Sequence, residues 1–169
     1  MGILASVFSG CKTSKASATS DQEPTKPVVV RTMPQGKLLE VQYRYGGMMM
    51  EMVSNFKLSR KKEPAHLDFH FYNRELSFEV SDTLFDAARR IIEEEKMYEY
   101  GESYTLEMDG MEILDGYHWG FSATFEDDRI ESSGSHVMPD GNGLNRLSAL
   151  LREAAMDCLR QTDLLDGQR

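Results

Sequence analysis

Leu38-Leu-Glu-Val-Gln-Tyr-Arg-Tyr-Gly-Gly-Met-Met-Met-Glu-Met-Val-Ser-Asn-Phe-Lys-Leu58 alternates apolar and polar residues on either side of a Gly-Gly pair. A period of two is the signature of a strand with one buried face. Gly46 and Gly47 both tolerate positive φ, so the pair predicts a two-residue hairpin turn. Folding about it sets Tyr45 opposite Met48, Tyr43 opposite Met50 and Val41 opposite Met52. Leu39, Val41, Tyr43, Tyr45, Phe56 and Leu58 then share one face. Glu40, Gln42, Arg44, Glu51 and Asn55 share the other, with Leu38, Met49 and Val53 as exceptions. A slip of one residue would mix the two faces, so the pattern itself argues for the register.

Working outward, His66-Leu-Asp-Phe-His-Phe71 and Leu76–Val80 repeat the alternation. A turn at Asn73-Arg74 pairs Leu67 with Val80, Phe69 with Phe78 and Phe71 with Leu76. Leu84, Phe85, Ala88, Ile91 and Ile92 fall at helical spacing behind Ser81 or Asp82 as cap. On the solvent side of that helix Arg89 is four residues from Glu93, and Arg90 four from Glu94. Beyond Gly101 the chain returns to strands: Tyr104–Met108, a turn at Asp115-Gly116, the alternating Trp119, Phe121, Ala123 and Phe125, and then Arg129–Ser133. A last helix is predicted near Leu144–Leu159, with Leu147, Leu150, Leu151, Ala154 and Cys158 on one side. Strands, helix, strands, helix in this order predict an α+β fold: an antiparallel sheet built from hairpins and packed against two helices.

The chain has 169 residues and a net charge of −9. Residues 1–35 hold four basic residues against two acidic ones, so the remainder carries −11. A domain this acidic repels phosphate backbones, and no basic stripe with interleaved aromatics occurs, which argues against nucleic acid as a partner. Neither a glycine-rich phosphate loop nor a dinucleotide fingerprint is present, so no cofactor is expected.

Residues 1–11 form a short apolar leader ending Ser9-Gly10-Cys11. The small-small-Cys ending resembles a bacterial lipobox, although Phe8 stands where Leu, Val or Ile is usual. The resemblance implies lipidation of Cys11. Residues 12–35 are small, polar and punctuated by Pro24 and Pro27; they cannot bury apolar area and read as a disordered tether. Residues 36–169 are the single α+β domain. Lys12 after the cysteine is not the inner-membrane retention residue of lipoproteins, so the resemblance implies the periplasmic face of an outer membrane. Met1-Gly2 with Ser6 also matches a myristoylation pattern, with Cys11 as a palmitoylation site, and this leaves a cytoplasmic adaptor as the alternative. The block Leu114-Asp-Gly, Trp119, Phe121, Phe125, Ser132-Ser-Gly-Ser135, Pro139 and the Leu-spaced helix is similar to a pattern in uncharacterised bacterial proteins. It implies fold and bacterial origin, and no activity.

Candidate chemistry has a plain structural competitor at each place. His66, Asp68 and His70 share one strand face and could hold a divalent metal; as polar residues of a half-buried strand they would also simply face water. Met48, Met50 and Met52 offer soft thioethers for Cu(I), but the register sets them on the core face. Ser132, Ser133, Ser135 and His136 lie too close along the chain for triad geometry, and no nucleophile elbow occurs. Glu40, Gln42, Arg44 and Glu51 are left as a polar sheet face suited to an unknown protein or small-molecule partner. The expectation is a lipid-anchored periplasmic binding or accessory module rather than an enzyme, with a metal-binding protein or metal-dependent enzyme using His66, Asp68 and His70 as the alternative.

Overall fold

The computed structural model describes residues 31–47, 53–72, 74–105 and 116–162. Among these residues seven strands and two helices follow in the order β1 (Leu38–Gly46), β2 (Val53–Ser59), β3 (His66–Phe71), β4 (Arg74–Glu79), α1 (Thr83–Glu94), β5 (Ser103–Thr105), β6 (His118–Phe125), β7 (Arg129–Ser135) and α2 (Gly143–Gln161). A single 3-10 turn, Met97–Glu99, follows α1. The strands form one sheet ordered β4-β3-β2-β1-β6-β7-β5. All neighbours are antiparallel except β5 and β7. The fold is α+β, as the element order predicts.

The two N-terminal hairpins exist, but both predicted registers are wrong. Val41 pairs with Leu58 and Tyr43 with Phe56, so Val41 does not face Met52, and the reversal is not at Gly46-Gly47. Gly46 instead continues β1 as the partner of His118. In the second hairpin Leu67 pairs with Phe78, Phe69 with Leu76 and Phe71 with Arg74, and Tyr72 turns the chain at φ 52°. Both errors are shifts by an even number of residues. Since side chains alternate with period two, an even shift changes partners and keeps faces, and the core set of β1 to β3 survives.

Odd corrections are made by bulges. The β1–β6 pairing skips a residue between Leu38 and Glu40, so Leu38 is the core residue and Leu39 is only partly buried, the reverse of the expectation. The β2–β3 pairing shifts between Ser54 and Lys57, where Asn55 adopts φ 54°, a conformation asparagine tolerates. This bulge is how Val53 and Phe56, three positions apart, are both buried.

Both helices contribute to one core against one face of the sheet. Phe85, Ala88, Ile91 and Ile92 of α1 are buried as predicted. On α2 the buried stripe is Leu144, Leu147, Leu151, Ala155 and Leu159, so Ala154 and Cys158 lie on its flank rather than its centre. Arg146 ties the helices together through Glu94 at 2.8 Å and Glu95 at 2.6 Å.

Arg89 is not paired with Glu93 on the solvent side. Its guanidinium turns to the carbonyls of Gly36 at 2.6 Å and Pro34 at 3.2 Å. From the other side the Gln35 N–H donates to the Asp127 carboxylate at 2.8 Å, and the Lys37 N–H to Glu126 at 3.1 Å. Residues 34–37 thus form a strap held between α1 and the β6–β7 turn, with Pro34 buried. Met48, Met50 and Met52, the Asp115-Gly116 turn at its first residue, and strand residues beyond Thr105 lie outside the described residues.

Candidate binding face

The helices cover one face of the sheet, and the strand alternation makes the other face polar across its whole width. Following the pairings, one row runs Arg129, Thr124, Glu40, Ser59, His66, Glu79. The next runs Glu131, Ser122, Gln42, Lys57, Asp68, Ser77. Glu40, Gln42 and Arg44 lie on this face as predicted from β1, while Glu51 lies outside the described residues.

Glu40 is the surprise of the group, being only 7% exposed on a face that neither described helix covers. Its neighbours bury it and satisfy it. Gln42 Nε2 donates to Oε1 at 2.9 Å, Ser59 Oγ to Oε2 at 3.3 Å, and the Lys61 ammonium sits 3.1 Å from Oε1. Burial alone would push the carboxyl up; the hydrogen bonds from Gln42 and Lys61 and the positive charges of Lys61 and Lys57 outweigh it and hold the group below its ordinary value. Arg44 Nη2 donates to Gln42 Oε1 at 3.0 Å, so the Gln42 amide is fixed at both ends. The result is a directed relay from Arg44 through Gln42 to Glu40.

Beside this relay lies a hollow of about 730 Å³ over β1, β6 and β7. Its floor centre is Gly120, paired with Arg44 on one side and Ser133 on the other. Arg31, Arg44, Arg129 and His118 line it, with Glu102 and Glu131 among them. Arg31 is bound to Glu102 at 2.8 Å, and Arg129 to Glu131. The His118 ring lies over Gly46, where a β-carbon would stand 2.2 Å from its Nε2. Trp119 and Phe121 run beneath, on the core side, and Trp119 Nε1 donates to the Val137 carbonyl at 2.7 Å.

The sequence does not single out Gly120, Arg129 or Arg31, although alternation sets His118 on the face opposite Trp119, as found. The alternation of β6 contains the face assignment of His118, Gly120 and Ser122. The adjacency of β6 to β1, which turns these residues into a site with Arg44, is a long-range pairing that no local pattern carries.

His66, Asp68 and His70 do share the uncovered face, each with a protein partner. His66 Nδ1 is 2.6 Å from the Pro64 carbonyl, Asp68 accepts the Ser77 hydroxyl at 2.6 Å, and Asn55 Nδ2 is 3.4 Å from His70 Nδ1. Among the described residues no group of three His, Cys, Asp or Glu is arranged to hold a metal ion. Of the serines weighed above, Ser132 donates to the Gly101 carbonyl at 2.6 Å and is a strut of the sheet edge, while Ser135 Oγ lies 2.8 Å from His136 Nδ1. Cys11 lies outside the described residues, and none of their helices is long and apolar enough to cross a membrane. Comparison of the chain with protein-family models, curated proteins and solved structures returns no match.

Proposed function

We propose that this protein is a membrane-anchored periplasmic lipoprotein whose domain is a non-catalytic binding or accessory module, working through the uncovered face of its sheet. The observation that carries the binding reading is the asymmetry of the sheet: one face is sealed by α1 and α2, while the other presents whole rows of polar side chains around a hollow. A water-facing sheet needs polar residues, but it does not need a buried, relayed carboxylate or a concavity in the middle of its strands. The anchor reading rests on the Ser9-Gly10-Cys11 ending and the polar stretch behind it.

Photo-crosslinking in intact cells tests the binding face. A photoreactive residue at Gln42 or Ser122 should give a discrete adduct, and one at Glu153 on the outer side of α2 should not. Equal yields at the two faces would sink the reading. The anchor has a separate test: a palmitate analogue should label the protein, and Cys11→Ala should abolish the label and release the chain from membranes.

A further inference from the structure

Gly120 is the wrong residue for its position unless something else uses the space. It lies inside β6, in the interior of a seven-stranded sheet, where glycine weakens a strand for want of a side chain and through its extra chain entropy. Packing among the described residues does not demand it, because a β-carbon built there meets none of their atoms within 4 Å. Backbone conformation does not demand it either, since Gly120 is not among the residues with positive φ. No register shift falls at Gly120 either, which leaves close approach of a ligand or another backbone as the physical reason for a glycine here.

The surroundings define that molecule's charge. Arg31 and Arg129 are each neutralised by a glutamate, whereas Arg44 has only the neutral Gln42 amide as partner among the described residues. The hollow therefore holds three guanidiniums against two carboxylates in a chain whose net charge is −9. Arg44 is cross-strand from Gly120, and its one bond into the relay, from Nη2 to Gln42 Oε1, restrains it while leaving the rest of its N–H fork for a ligand. A guanidinium fork matches a carboxylate in bidentate fashion. The glutamates on the rim disfavour a dianion, and Ser122, Ser133 and Glu131 offer partners for hydroxyl groups. We infer that the hollow over Gly120 is a binding site for a small hydroxylated monocarboxylate, its carboxylate on Arg44 and its body over Gly120. This rests on the uncovered face being the binding face, and names the ligand class for it.

The test uses the purified full chain and glucuronate as probe, followed by calorimetry and by the fluorescence of Trp119, the only tryptophan, which lies under the hollow. Glucuronate should bind; glucose, which lacks the charge-assisted pair, and inorganic phosphate, which lacks the hydroxylated body and is disfavoured as a dianion by the glutamates, should each bind at least about tenfold more weakly. Arg44→Gln should weaken glucuronate by a similar factor. Gly120→Val should abolish binding while leaving Tm unchanged or raised, because valine favours strands and the space is open. His66→Ala, on the same face outside the hollow, should bind normally. No glucuronate binding, equal binding of phosphate, or binding retained in Gly120→Val would each overturn the proposal. If a crosslink at Gln42 still forms in any of those cases, only the ligand class fails and the binding face stands; if no crosslink forms, both fail.

Discussion

Glu40 shows how a charged residue can sit buried on a solvent-side sheet face: three protein donors replace the water it gives up. Replacing Glu40 by Ala leaves the Gln42 amide and the Lys61 ammonium without their acceptor, and should cost about 1–3 kcal/mol in urea unfolding at pH 7. The pH dependence has a definite sign. The folded-state pKa of Glu40 lies below its ordinary 4.5, as does that of Glu95, held down by Arg146. Their contribution is fully present above the unfolded value and disappears as pH falls through the depressed folded value. Stability should therefore decline below about pH 4.5, and Glu40→Gln should decline less over the same range; identical acid limbs for the two proteins would refute the assignment. At the histidines, purified protein should carry substoichiometric metal by elemental analysis, unaltered in His66→Ala, because each of the three polar side chains already has a protein partner. Stoichiometric metal lost in that variant would revive the metal reading.

At the scale of elements, much of the sheet was legible because alternation is local and survives even slips. Val41, Phe56, Leu67 and Phe69 are core residues under either register. Partners were not legible: Gly46-Gly47 reads as a turn, yet in the sheet Gly46 serves as the glycine against which His118 lies. Bulges were invisible too, since Leu38 and Leu39 are chemically identical and only the pairing with β6 decides which is buried. On α2 a broad apolar stripe fits several rotations, and the sheet selects Ala155 and Leu159. Arg89 fits a routine helix-surface pair by spacing, but it spends its donors on the strap. Arg89→Ala should therefore cost about 1–3 kcal/mol, the value of hydrogen bonds to a charged group. Amide exchange at Gln35, Gly36 and Lys37 should rise well before exchange in β1; unchanged protection there would show that the carboxylates of Glu126 and Asp127 suffice.

For the whole molecule, β1 is the hinge of the architecture, joining the N-terminal meander to β6 and β7. The candidate site exists only because of that junction, which explains why its β1 half could be read from sequence and its β6–β7 half could not. One core under one sheet should unfold as a unit. Leu147→Ala, at a fully buried position of α2, should lower stability by about 2–5 kcal/mol. The Trp119 fluorescence and far-ultraviolet dichroism transitions should shift together; separated midpoints would mean that the two halves of the sheet melt independently. At one end of the sheet β4 carries Arg74, Glu75 and Glu79, charges that discourage strand addition from another chain.

The strap at residues 34–37 also decides how the domain meets a mechanical load. Tension arriving through the chain before Arg31 reaches the Arg31–Glu102 bridge first and then the Arg89 and Asp127 contacts, before it reaches β1. These contacts are polar and discrete, while Met33 and the buried Pro34 tie the same stretch to the core. The strap thus stands between such a load and the sheet, and its contacts are the first of the described fold that the load would meet.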